Sequence, residues 1–364
     1  MQDFSLSNTE YGSLYAAVTL CSSLSLSYFG ELMDRSDFQK ISLLIAGGLG
    51  LSALGMAFTE DLVILALVLF TLRLFGQGLS NLHAQTLMAK AFTNNRGKAL
   101  ALSNVGQPIG EAILPLLLVQ PMLHNFDWQS SWLLNALLIF IIFPALILYL
   151  GKNFHAENKV VRTKSKNKAF RRLQILKDPA FFLLIPTAVA NAFLLTAIFF
   201  NIQYIVEEKS WAPALVGTGF LCFGLTRALI GLYSGSLIDR FSEFDLVKFY
   251  LTPLILALCS LLIPIPQAGI YLFFVFCGIS VGFSTNLFTS IWTEIYGTKN
   301  LGSIKGLAGT VAVLSTALSP PIIGWMMDQA WSLKQIVYAM LVYLAISYLL
   351  LLKHPRISIL HSDS

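Results

Sequence analysis

Two arginines pose the chemical question in this chain. Arg73 lies in the apolar run Leu62–Ala89 and Arg227 in the run Leu215–Ile238, each about twelve residues from the start of its run. At ~1.5 Å of rise per helical residue, that is roughly 18 Å of depth. A guanidinium in hydrocarbon is costly unless it faces water or meets a partner. Arg73, Gln77, Asn81 and Gln85 follow at steps of four, so a helix carries them as one polar stripe, and such a stripe belongs in a wet cavity. Glu111 shares a face with Asn104 and Gln107 in the next run. Its charge suits a pairing with Arg73. Arg227 has no acid in the predicted spans of its own half, and calls for an anion, a cluster of carbonyls or Glu111 itself. Two roles for Glu111 stay open: proton carrier, or ionised counter-ion of an arginine. These groups suit the binding of a small charged molecule. No nucleophile, base and acid are arranged for hydrolysis, the five histidines lack metal-ligand spacing, and no Gly-x-x-x-x-Gly-Lys-Ser/Thr loop is present. The expectation is therefore no enzyme, no cofactor and no metal.

The elements that must position these residues are set by composition. The chain has 364 residues, of which 56% are hydrophobic and 12% charged; a soluble domain carries about 25% charged residues. A bilayer is the natural solvent, since a helix of about 20 apolar residues spans it while satisfying its own backbone. Eleven spans are predicted: Tyr11–Phe29, Ile41–Phe58, Leu62–Ala89, Ala99–Leu118, Trp132–Leu150, Phe181–Tyr204, Leu215–Ile238, Val247–Ile263, Ile270–Trp292, Leu307–Met327 and Ile336–Leu352. Of the 24 Lys and Arg residues, Lys209 and Lys334 face one side and Arg73 and Arg227 lie deep within spans; the rest, with Lys248 at the very start of its span, occupy alternate loops and the tail on the other side. That asymmetry puts the C-terminus in the cytoplasm. The four cysteines fall in apolar runs, without paired spacing, and read as packing residues.

The organisation is an all-α membrane protein of two pseudo-repeated bundles: residues 1–150 with five spans, a basic cytoplasmic linker over 151–180, and residues 181–364 with six spans. The linker is read as a solvated connector rather than a nucleic-acid contact. The repeat rests on pairs 205 residues apart, Gly12 with Gly217, Gly30 with Gly235, Gly97 with Gly302 and Pro115 with Pro320. At this offset the counterpart of Phe181–Tyr204 falls ahead of Met1. The first half thus lacks a helix that the repeat calls for, and the expectation is a start further upstream, the other option being a true eleven-span variant.

Around the pair Gly30 and Gly235 the chain reads Gly30-Glu31-Leu32-Met33-Asp34-Arg35 and Gly235-Ser236-Leu237-Ile238-Asp239-Arg240, read as charged loops between spans. This doubled G-x-L-x-D-R pattern resembles the signature loop of the major facilitator superfamily of secondary transporters. Arg73-Leu74-Phe75-Gly76-Gln77-Gly78 is similar to the family's Arg-x-x-(Gln/Gly)-Gly-x-Gly motif of the fourth helix, shortened by one residue, and Gly106-Gln107-Pro108-Ile109-Gly110 is partly similar to the glycine-proline motif of the fifth. A fainter likeness to monocarboxylate carriers rests on Arg227, which in those proteins stands about one turn nearer the loop.

The resemblance implies twelve helices in two six-helix bundles, with a substrate cavity open alternately to each side. It also implies a gating role for Gly30, Asp34, Arg35, Gly235, Asp239 and Arg240. Substrate-binding candidates are Arg73, Gln77, Asn81, Glu111, Arg227, Asn191 and Asn286; a polar residue in a span serves equally as a hydrogen bond between helices. The reading is a secondary transporter of the cytoplasmic (inner) membrane. Two arginines against one glutamate favour a small organic anion, with a proton as the optional coupling ion, and lipid around a monomer is the only other partner expected. The alternatives are a drug/proton antiporter, or a truncated non-transporting membrane protein acting as a sensor or remnant.

Overall fold

The computed structural model describes residues 6–35, 38–91, 103, 105–115, 127–153, 175, 177–264, 267, 269–297 and 301–353. All regular structure among them is helical. The helices are α1 (Asn8–Arg35), α2 (Phe38–Ala57), α3 (Leu62–Leu72), a π-helical turn (Arg73–Leu79) running directly into α4 (Ser80–Ala91), α5 (105–115) and α6 (Trp128–Asn153). They continue with α7 (Pro179–Phe200), α8 (Ile202–Glu208), α9 (Ala214–Arg240), α10 (Glu243–Phe249), α11 (Thr252–Leu262), α12 (Gly269–Tyr296), α13 (Leu301–Asp328) and α14 (Leu333–Leu352). Among the described residues, nine helices are long and apolar enough to cross a membrane. The all-helical membrane class read from composition holds.

Local chemistry fixes several helix ends. Asp61, Asp178 and Ser242 accept backbone N–H bonds from Val63, Ala180 and Phe244, and Ser332 with Gln335 forms a capping box at α14. The predicted span Val247–Ile263 is split into α10 and α11, because Pro253 in the first turn of α11 has no N–H to continue the earlier helix. The predicted span Phe181–Tyr204 breaks at Asn201, whose side-chain amide turns back to the Ala197 carbonyl at 2.9 Å.

The two charged motifs differ from their predicted form as loops. Helix α1 continues through Arg35 and α9 through Arg240, so Asp34-Arg35 and Asp239-Arg240 end helices instead of standing between them. The physical reason is solvent: a bilayer offers the backbone no other partner, so Gly235 stays helical despite its conformational freedom. The surroundings of Gly30, the side chains of Asp34 and Arg35, residue Asn104, and most of the predicted linker (154–174 and 176) lie outside the described residues.

The described chain packs as two compact units, one of residues 1–107 and 118–163 and the other of 108–117 and 164–364. The first has a small buried core of Ile41, Ile45, Leu74 and Leu79, with Leu26, Phe70, Phe75 and Leu82 against it. The second has a larger one, centred on Phe181, Leu184, Leu194, Tyr250, Phe273 and Phe274. In it α7 is tied to α14, the Thr187 hydroxyl donating to the Ser347 carbonyl at 3.1 Å and the Pro186 carbonyl accepting from the Tyr343 hydroxyl at 2.8 Å.

Candidate functional site

In the second unit the site is built on the approach of α5, α9 and α12. Helix α9 carries Gly217, Gly219, Gly224, Gly231 and Gly235, a composition that would fray in water and that lipid holds helical. The small residues let backbones come together. A Cβ added to Gly224 would stand 2.5 Å from both the Ala112 Cβ and the Pro108 carbonyl oxygen of α5, and one added to Gly282 of α12 would stand 2.6 Å from the Arg227 carbonyl oxygen. Arg227 is thus wedged between two neighbours at backbone distance.

This packing delivers Arg227 to Glu111, one turn beyond Pro108, and the Arg227 guanidinium donates to the Glu111 carboxylate as an ion pair. The pair is mostly enclosed, with 19% of the Arg227 and 32% of the Glu111 side chain accessible. Of the partners weighed for Arg227 from sequence, Glu111 is the one in place. Asn286 braces the same helices, its amide donating to the Gly231 carbonyl and the Ser234 hydroxyl of α9, both at 2.8 Å. Asn191, buried on α7, donates to the Tyr250 hydroxyl and accepts from the Ser280 hydroxyl of α12, both at 2.8 Å. Both amides join helices through these bonds. Asp239 and Arg240 end α9 exposed, without an ion pair among the described residues.

In the first unit the Arg73 guanidinium donates to the Tyr15 hydroxyl of α1 at 2.7 Å and lies 4.8 Å from the centroid of the same ring. Its partner among the described residues is therefore neutral, and its positive charge is answered by a phenol and a ring face instead of a carboxylate. Gln77, Asn81 and Gln85 are exposed, as a stripe requires, and Asn81 reaches back to the Gln77 carbonyl at 3.3 Å. His83 packs, its ring stacked on Phe38 at 5.4 Å and its Nε2 hydrogen-bonded to the Ser42 hydroxyl at 2.8 Å. Tyr15 is the residue that sequence reasoning missed. The signal for it was weak: a tyrosine inside an apolar run, beside an arginine to which the sequence offered Glu111 as the partner.

Outside the spans, Lys209 donates to the Leu261 and Ile263 carbonyls at 3.0 and 2.6 Å and satisfies the end of α11. Burial, with Lys334 nearby, lowers its pKa. Asp127 starts α6; the hydroxyl and N–H of Ser130 hold its carboxyl below the usual carboxylate range.

A polytopic helical membrane protein with charged groups embedded in glycine-thinned helices is the class that this fold and site define. A family model for the Major Facilitator Superfamily matches residues 1–320 and, in a second match, residues 184–359. The chain belongs to the Major Facilitator Superfamily of secondary transporters. Among solved structures, the crystal structure of a bacterial homolog to the human lysosomal transporter Spinster, in an inward-facing and unoccupied conformation, is similar with a TM-score of 0.68. The match covers 97% of this chain and 90% of that one at 14% identity, a likeness of fold. A comparison with curated proteins finds no match.

Proposed function

We propose that this protein moves a small organic anion across the cytoplasmic membrane by alternating access, with protons as the coupling ion. The observation that carries the reading is Arg73. Glu111 neutralises Arg227, whereas Arg73, in a membrane span, has only the neutral Tyr15 as its partner among the described residues. A cation placed there at a cost of several kcal/mol is best explained by an anion that binds it. Gln77 and Asn81 supply further donors on the same helix, and Arg227 with Glu111 supplies the second charged locus. Asn191 and Asn286 contribute by fixing α7, α9 and α12 around that locus. Gly30, Asp34 and Arg35, with Gly235, Asp239 and Arg240, form the gating ends of α1 and α9, and the C-terminus is cytoplasmic.

Uptake by purified protein in proteoliposomes tests this reading. Radiolabelled pyruvate, succinate and citrate are compared with a lipophilic cation, with and without an imposed proton gradient. The expected result is carboxylate uptake driven by an inward proton gradient and sharply reduced, at subsaturating solute, by Arg73→Gln. Carboxylate uptake unchanged in Arg73→Gln, or uptake of the cation alone, overturns the reading.

A further inference from the structure

The helix that carries the polar stripe changes type where the arginine stands. Residues Arg73–Leu79 form a π-helical turn between the α-helical α3 and α4. Such turns usually absorb one extra residue and gather at functional sites. Here no residue has been inserted. The repeat pairs on both sides of the turn, Gly30 with Gly235 and Gly97 with Gly302, keep one offset. The counterpart of Arg73–Leu79 in the second unit is 278–284, within α12, which is α-helical throughout Gly269–Tyr296. Two stretches of equal length thus take different helical forms, so the π turn is a conformational choice of the first unit.

Side-chain placement explains the choice. Leu74 and Leu79 are both buried, at 3% and 2% exposure, in one core with Ile41 and Ile45. Residues five apart share a face in a π-helix, whereas an α-helix turns them about 140° apart at about 100° per residue. In an α register Gly78 would take the place that Leu79 now fills, and the core would lose a leucine. The π form also has anchors on two sides. Arg73 is held by Tyr15 of α1. The Phe75 ring fills a notch at Gly48 of α2, where an added Cβ would meet it at 2.6 Å, and the Phe75 carbonyl accepts from both the N–H and, at 2.6 Å, the hydroxyl of Ser80. Of these anchors, the one at Arg73 is the one that a ligand can replace.

We propose that Tyr15 is a positioning residue that holds Arg73, and through it the stretch Arg73–Leu79, in the π register, and that transfer of Arg73 to an anionic solute returns the stretch to α-helix. The second clause rests on the anion reading above. Tightening the wide turn to an α-helical one moves everything after it by about 100° and about 1.5 Å. Gly78 then occupies the place of Leu79, and Ala84 the exposed place of Gln85. The switch thereby re-aims Asn81 and Gln85.

The test uses single cysteines at Ala84 or Gln85, in protein whose four native cysteines are replaced, labelled by a membrane-impermeant maleimide in proteoliposomes. Without solute, position 85 reacts severalfold faster than position 84. Tyr15→Ala, which frees Arg73, and Gly78→Leu, which offers the core a leucine in the α register, should each reverse that order with no ligand present. Tyr15→Phe keeps the ring and should reverse it only in part. A pattern unchanged in both Tyr15→Ala and Gly78→Leu overturns the switch. Reversal by Gly78→Leu alone overturns the role of Tyr15, and if Gly78→Leu does not fold, Tyr15→Ala decides. Pyruvate, succinate and citrate are then added to the unsubstituted helix while their uptake is followed in the same vesicles. Reversal by an anion that is taken up supports the ligand step, and uptake without reversal overturns it. Uptake of none of the three strikes the anion reading, and the variants alone then decide the role of Tyr15.

Discussion

Removing the Glu111 carboxylate should cost more stability than removing its arginine partner. A solvent-exposed ion pair contributes about 0–1 kcal/mol, and taking one partner from a fully buried pair costs about 3–5 kcal/mol. The Arg227–Glu111 pair lies between these limits, with 19% and 32% of the two side chains accessible. Glu111→Gln leaves the more enclosed charge unanswered. Arg227→Met leaves a carboxylate that keeps more access to water. We therefore expect Glu111→Gln to cost about 2–3 kcal/mol and Arg227→Met about 1–2 kcal/mol. The double variant should cost less than the two together, with a coupling of about 1–2 kcal/mol. The assay is fluorescence-detected thermal unfolding of the detergent-solubilised protein, compared at one scan rate because such unfolding is commonly irreversible. For a unit of this size, 2 kcal/mol corresponds to about 4–8 °C in midpoint. Strictly additive shifts, or Arg227→Met as the more damaging change, would refute the reasoning.

Three further outcomes follow from the same contacts. Gly282→Ala puts a Cβ 2.6 Å from the Arg227 carbonyl oxygen and 3.0 Å from the Ile230 Cβ; it should destabilise by about 1–3 kcal/mol and raise KM for the transported anion, read by unfolding and by uptake. Asn191→Leu strips the Tyr250 and Ser280 hydroxyls of their buried amide partner and should cost about 1–3 kcal/mol for each group left unsatisfied, with a midpoint shift as the check. At the start of α6 the depressed pKa of Asp127 sets the sign of a pH effect: its contribution is full above the ordinary carboxylate value of about 4 and is lost as pH falls through its lowered value. The midpoint difference between the natural protein and Asp127→Asn should therefore be constant near neutrality and shrink in acid.

The class of fold was legible because lipid leaves the backbone few options: long apolar runs with sparse charge have to be helices. The positions at risk were legible for the same reason, since Arg73, Glu111 and Arg227 stand out against hydrocarbon. Partners were harder to read. Sequence spacing offered Glu111 to either arginine, and packing decided for Arg227, through a small-residue contact between Gly224 and α5 that no charge pattern encodes. Tyr15 was hidden because a tyrosine within an apolar run reads as one more apolar side chain. The π turn left a trace in Leu74 and Leu79, five apart, and in Gly76 and Gly78 between them, but helical periodicity at steps of four masks that signal. The ends of α1 and α9 were misread because Gly30 and Gly235 signal turns in water, whereas both helices run past them.

Binding of a transported carboxylate to purified protein, measured by titration calorimetry with Arg73, Arg73→Lys and Arg73→Gln compared side by side, meets the central claim most directly. A charge-assisted hydrogen bond contributes about 1.5–3 kcal/mol. Arg73→Gln should thus weaken binding about ten- to hundredfold, and Arg73→Lys, which keeps the charge without the fork of donors, should fall between. Equal affinity in all three would show that the charge at Arg73 does not hold the solute.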